Sequence, residues 1–305
     1  MDRVSENRAV PAAPPLLLAV PNASEGRDRA TIDAIAAAFA PARVLDVHSD
    51  RDHGRSVFTL AARQREIASA LVSGAREAAA RIDLRQHQGD HPHVGALDVA
   101  PVVYLDDASR GAAVAEALTA AALIGDELDL PVFLYGNLAT TDDRRERASL
   151  RAGGPARLAE RVAGGELVPD HGPRRVDPRS GAVLVTARPP LVAFNLDLAS
   201  DDVELARRIA AGLRESGGGP AGVRAIGLYL HERGRAQVSV NLHDHRAAPL
   251  AELVERVRAQ VPVAEAELVG LAPAAALEGL PDDLELRGFD PERHVIENAL
   301  RSAGL

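Results

Sequence analysis

The sequence predicts an α/β (α+β) protein built from two successive βαββαβ units, with a ligand cleft where the two meet. Three observations carry this. Strand-like and helix-like hydrophobic periods alternate in the same order twice along the chain. A stretch dense in Gly, Pro and Arg (137–181) separates the two runs. The 305 residues are 46% hydrophobic but only 3% aromatic, enough for two moderate cores filled by Leu, Val, Ile and Ala.

Residues 1–14 are polar and Pro/Ala-rich and read as a flexible tail. LLLAV (16–20) reads as a strand, residues 29–39 as a helix, and ARVLDV (42–47) and SVFTLA (56–61) as strands. A helix over 64–81, a histidine-rich loop and the strand VAPVVYL (99–105) complete the first unit, which is the ferredoxin-like order. A helix over about 110–125 and the strand PVFLYG (131–136) extend it. The pattern restarts with a strand at 191–199, a helix at 201–216, hairpin strands around 223–232 and 236–242, a helix at 248–261 and a strand at 263–271. The expected division is 15–188 and 189–305, meeting near Pro189. Acidic pairs Asp106-Asp107 and Asp201-Asp202 stand before helices and read as caps.

Composition removes several function classes. No Cys is present, so there are no disulfides, thiolate nucleophiles or Cys-based zinc sites. All 35 basic residues are Arg, which excludes a Schiff-base lysine and a P-loop lysine. A net charge of −9 without a basic tract argues against nucleic acid. The apolar run PPLLLAV is too short for a membrane span and lacks the flanks of a signal peptide, so the expectation is a cytoplasmic protein.

The segment RQHQGDHPHVGALDV (85–99) is the richest in chemistry. It places His87, Asp90, His91 and His93 on a turn-rich loop before a buried strand. An imidazole there can take and return a proton near neutral pH, or can simply bond a backbone carbonyl. For His91 the first role is the sharper reading, with Asp90 or Asp98 orienting the ring. The spacing of His87, His91 and His93 also allows a metal reading, but no ligand motif accompanies it, and no metal is expected. The loop Asp50–Arg55 offers Arg51, Asp52, His53 and Arg55 to a polar ligand, or is a solvated turn. The Gly172–Gly181 loop, with Pro173, Arg174, Arg175, Pro178 and Arg179, can meet an anion in the same way. His243 and His245 read as a strand-end turn, and no nucleotide-binding glycine motif occurs.

Several segments together resemble the formimidoyltransferase domain of folate-dependent enzymes. Val20–Gly26 resembles VPNFSEG, and Asp50–Val57 resembles the bacterial D-x-D-H-N-R-S-V. His87–Val99 resembles H-x-G-E-H-P-R-x-G-A-L-D-V, and Pro169–Gly181 resembles P-D-x-G-P with a later Pro and Gly. Ala187-Arg188, Leu191–Leu198, Val238–Leu242, Glu267–Pro273 and Phe289–Arg293 continue the family's order, covering about 15–300. Departures fall at Ala23 (for Phe), His48 (for Asp), Gly54 (for Asn), Gly154 (for Glu), Thr186 (for Gly) and Asp197 (for Asn).

The resemblance implies two ferredoxin-like subdomains, a homodimer and a folate site between the subdomains. It implies transfer of a formimidoyl group from N-formimidoyl-L-glutamate to N5 of tetrahydrofolate, a step of histidine degradation, with no cofactor beyond that co-substrate. Formyl transfer from 5-formyltetrahydrofolate and a non-catalytic folate- or pterin-binding protein are the alternatives. The resemblance assigns the catalytic role to His91. It places the ligand on Asn22, His48, His53, Arg55 and the loop of Gly172, Pro173, Arg174, Arg175, Pro178 and Gly181. The cyclodeaminase domain of animal fusions is expected to be absent.

Overall fold

The computed structural model describes residues 13–305, so most of the tail expected over 1–14 lies outside the described residues. In chain order the first half runs β1 (Leu16–Ala19), β2 (Asn22–Ala23), α1 (Arg29–Ala38), β3 (Arg43–Asp50), β4 (Arg55–Arg63), α2 (Ile67–Arg81) and β5 (Leu97–Val103). It continues with α3 (Arg110–Leu128), β6 (Val132–Leu134), α4 (Arg147–Arg151), α5 (Gly154–Ala163) and β7 (Val183–Arg188). β1 and β2 both lie between β4 and β5, forming one strand path. The path breaks at Val20-Pro21, where proline has no N–H for the ladder. β3 closes one edge on β4, while β7 and β6 add parallel strands beyond β5.

The second half runs β8 (Val192–Leu198), α6 (Val203–Leu213), β9 (Val223–Leu230), β10 (Arg235–Leu242), α7 (Leu250–Arg258) and β11 (Val263–Val269). It ends in α8 (Pro291–His294) and α9 (Ile296–Ser302). Its sheet has the order β11-β8-β10-β9, the ferredoxin-like arrangement, and the first sheet repeats that order before its extension. Asp106 and Asp202 accept backbone N–H groups at helix starts, as the acidic pairs suggested.

Period-two alternation decides what each face meets. On the first sheet Leu17, Ala19, Phe58, Leu60 and Val102 enter the core shared with α1, α2 and α3. The opposite face carries Val99 and Leu184 against α5, and Leu18, Ala61 and Val103 against Leu271, Ile296 and Leu300. On the second sheet Phe194, Leu196, Val238, Val240 and Leu268 face α6 and α7. The alternate positions, among them Asn195, Asp197, Gln237, Ser239 and Glu267, are buried but polar. They turn toward the first sheet, and the cavity between the sheets is lined from both sides, by Val57 and Val99 on one and Ala193 and Asn241 on the other.

One strand is a correction. β7 lies where the sequence reading assigned none, although GAVLVTA is a continuous apolar run of the kind a fully buried parallel strand requires.

Candidate active site

Two loops meet behind Arg55, which lines the cavity, while His91, His53 and His48 lie outside its lining. Gly54 sits at φ +61°, and a Cβ there would lie 2.5 Å from the Gln88 carbonyl oxygen. A Cβ on Gly89 would likewise lie 2.5 Å from the His53 carbonyl oxygen. Two glycines therefore let the β3–β4 turn and the histidine loop touch, and Asp90 N–H donates to the Asp52 carbonyl at 3.0 Å. This contact brings His53 and Arg55 beside His91.

Arg55 Nη1 lies 2.7 Å from His91 Nε2. A guanidinium can only donate, so Nε2 accepts and the ring is neutral with its hydrogen on Nδ1. Burial, then the positive charges of Arg55, Arg151 and Arg147, hold the His91 pKa well below the usual histidine value. Burial also lowers Arg55, to about 10, and Arg151 and Arg147 contribute.

His53 is 1% exposed and its ring centroid lies 5.8 Å from that of His91. Gln237 Nε2 donates to Asp197 Oδ1 at 2.7 Å, which turns the amide oxygen toward His53 Nε2 at 3.0 Å. His53 therefore donates from Nε2, leaving Nδ1 a buried acceptor with no protein partner. Burial and Arg55 lower its pKa against the pull of Asp50.

The orienting carboxylates are placed differently from expectation. Asp98 is 2% exposed, accepts the Val94 N–H at 2.8 Å and pairs with Arg151. It anchors the loop behind His91 instead of touching the ring. Asp90 lies 3.8 Å from His231 of the β9–β10 turn. His87 donates from Nδ1 to the Ser24 carbonyl and packs on His93 with ring centroids 4.0 Å apart.

Asn22 and Arg55 line the cavity with Arg147, Arg188 and Asn241, while its other end is apolar with Leu18, Val103, Leu271 and Ile296. The Gly172–Gly181 loop does not line it. Gly172 and Gly181 serve backbone packing, against Leu130 and Val94 respectively, each at positive φ. Arg175 pairs with Asp129 at the end of α3, Arg179 donates to the Ala80 carbonyl at the end of α2, and Arg174 is exposed. Pro173 and Pro178 are likewise outside the cavity lining.

His48 and Asp197, two of the departures, sit in a polar network joining the sheets. His48 Nε2 lies 3.7 Å from Glu267, which also forms an ion pair with Arg287 at 2.6 Å. Asp197 pairs with Arg233 at 3.0 Å, and Arg233 reaches Asp50 at 3.4 Å. The turn bearing Arg233 also presents Glu232 to Arg27 at 3.0 Å. Thr186 donates to the Tyr135 carbonyl at 2.7 Å.

Sequence reasoning missed Arg147, Arg188, Gln237, Glu267, Arg233 and Arg287. The signal for Gln237 and Glu267 was their alternation with apolar neighbours, which reads as a solvated face unless a second polar sheet covers it. Nothing local marks Arg147, and Arg188 was marked only as part of the Ala187-Arg188 segment of the family resemblance, without a role.

Comparison with known proteins gives a consistent result. A family profile described as "Formiminotransferase domain, N-terminal subdomain" matches residues 16–188, and "Formiminotransferase domain" matches 193–281. A protein named glutamate formimidoyltransferase from Streptococcus pyogenes serotype M1 is 36% identical over 92% of this chain and 97% of its own. One of the same name from Thermoplasma acidophilum is 35% identical over 94% and 98%. The formimidoyltransferase-cyclodeaminase of Rattus norvegicus is 38% identical over 86% of this chain, which spans 51% of that longer protein.

Proposed function

The chain belongs to the formiminotransferase family of transferases, and on that premise we propose that it moves a formimidoyl group from N-formimidoyl-L-glutamate to N5 of tetrahydrofolate, with His91 as the proton carrier. One observation carries the reading. A buried, neutral histidine is held at 2.7 Å by an arginine that itself lines the cavity between the sheets.

In the reaction N5 attacks the amidine carbon, a tetrahedral intermediate forms, and the bond from that carbon to the glutamate nitrogen breaks. N5 loses a proton and the leaving nitrogen gains one. His91 Nε2 takes the first and returns it to the second, which needs one ring within hydrogen-bond reach of both. In the ligand-free protein Arg55 covers that lone pair. A substrate carboxylate pairs with a guanidinium more strongly than a neutral imidazole does, so it draws Arg55 away. Nε2 is then free, and the cation that most depresses its basicity is neutralised. Binding and base release are thus one event. The apolar wall of Val57, Val99, Val103 and Leu271 suits the aromatic body of a folate, and Asn22 and Arg55 suit its polar neighbours.

The test mixes the purified protein with tetrahydrofolate and N-formimidoyl-L-glutamate and follows 5-formimidoyltetrahydrofolate. Turnover is expected, and His91→Ala should lose about 10²–10⁴-fold in kcat while still binding folate. Turnover with 5-formyltetrahydrofolate alone would make this a formyl transferase. Folate binding without turnover on any donor would make it a binding protein. A homodimer belongs to the same proposal, and sedimentation of the purified chain checks it.

A further inference from the structure

Two cations on the cavity wall take no part in that proton transfer. Arg147 opens α4, and Arg188 ends β7 directly beside Val103 of β5. Both are partly buried and both line the cavity. Among the described residues neither is in an ion pair. Arg147 has the Tyr135 hydroxyl as its polar neighbour, and Arg188 donates to the Pro189 carbonyl at 3.0 Å.

The chain carries 44 Asp and Glu against 35 Arg, so counter-charges are plentiful. Among the described residues the two buried arginines are each matched, Arg144 with Asp170 and Arg151 with Asp98. Arg147 and Arg188 share their unmatched state with Arg55, which lines the same cavity but is held by His91. A guanidinium withdrawn from water without a counter-charge costs free energy. Here two are withdrawn side by side: burial and the Arg147 charge pull Arg188 down to about 10.

We propose that Arg147 and Arg188 form a carboxylate-binding subsite that holds the two carboxylates of a glutamyl unit. Each guanidinium offers a planar fork that fits one carboxylate in bidentate fashion. The two cations lie along the cavity: the Arg147 charge is felt at His91, and Arg188 lies beside Pro190 and Val103. A glutamyl unit supplies one carboxylate for each of the two guanidiniums, which a single compact anion does not. The glutamyl unit belongs either to the amino-acid donor or to the tail of the folate. This identity rests on the transfer reaction proposed above; the subsite does not.

Calorimetric titration with glutarate, butyrate and inorganic phosphate tests it. Glutarate should bind at least about 10-fold more tightly than butyrate or phosphate. Arg147→Gln and Arg188→Gln should each weaken glutarate by about 10-fold or more, the loss of one charged contact. Their ligand-free melting temperatures should equal or exceed the parent's, because each removes an unmatched, partly buried cation. Glutarate binding no tighter than the others, or unchanged in both variants, overturns the subsite. Variants melting well below the parent make these arginines structural and overturn it too. In turnover, glutarate that raises KM only for N-formimidoylglutamate assigns the subsite to the donor, and only for tetrahydrofolate to the tail. Arginine-dependent glutarate binding without any turnover keeps the subsite and sinks the transfer reading. Turnover without such binding does the reverse.

Discussion

Arg55 donates from Nη1 to Nε2 of His91 at 2.7 Å, and this single contact sets the resting state of the histidine. It fixes the tautomer, occupies the lone pair that a proton would use, and lies second only to burial in depressing the ring's basicity. Arg55→Ala should therefore raise the His91 pKa toward the ordinary histidine range, read by NMR titration of the ring. It should also raise KM for folate or N-formimidoylglutamate by about 10-fold or more, with little change in melting temperature. An unmoved ring titration together with unchanged KM values would remove Arg55 from the site.

The helices were legible from their 3.6 period, and the strands of the second unit from alternation of apolar and buried polar residues. β4 and β5 are buried on both faces and were legible only as apolar runs between turn-rich segments. β7 is equally buried but short, and it adjoins the Gly-, Pro- and Arg-dense stretch that masks its apolar run. His91 and Arg55 were legible because their own loops are dense in Gly, Pro, His and Asp. The joint role of Arg147 and Arg188 was not, because they are 41 residues apart in sequence and meet only on the folded cavity wall. The Gly172–Gly181 arginines looked equally suited to an anion, yet Arg175 is taken up by Asp129 and Arg179 by the Ala80 carbonyl. Local charge density shows what a loop offers, not where it points.

Gly54 is the hinge of the loop contact. Its φ of +61° is costly for a residue with a Cβ, and that Cβ would also press on Gln88 and on the His87 ring. Gly54→Ala should destabilise the fold by about 1–3 kcal/mol in urea denaturation. Turnover should fall further than stability, since the same clash moves His53 and Arg55 relative to His91. A variant with normal melting and normal turnover would show that the two loops do not depend on this approach.

Stability should depend on pH in a defined window. His53 and His91 are buried and have folded pKa values below the 6.5 they take in the unfolded chain, and His48 is lowered by burial as well. Above that value neither state binds the proton, and the native packing is intact. As pH falls through it, the unfolded chain gains protons that the folded chain refuses, so stability is lost toward the lower folded values. Asp50 and Glu267 also have lowered pKa values, but from 3.8 and 4.5, so their contribution is lost only at more acid pH. Melting temperature should thus be flat above about pH 7 and decline as pH falls below about 6.5, with a shallower decline in His53→Gln. A flat profile as pH falls from about 7 toward 5 would mean that these rings take up protons in the folded protein as readily as in the unfolded chain.

Asp98 distinguishes a structural from a chemical account of the histidine loop. Its carboxylate accepts the Val94 N–H at 2.8 Å with one oxygen and pairs with Arg151 through the other, both in the interior. Removing it leaves a buried guanidinium without its counter-charge and a buried N–H without its acceptor. Breaking such a pair from one side costs about 3–5 kcal/mol. Asp98→Ala should therefore show a large loss in urea denaturation, and adding Arg151→Met should restore part of it, because the orphaned charge is then gone. If Asp98 instead acted on the imidazole directly, Asp98→Asn would shift the His91 titration while stability held. The observed contacts favour the first outcome: Asp98 reaches His91 only through the backbone of Val94, three residues along the loop.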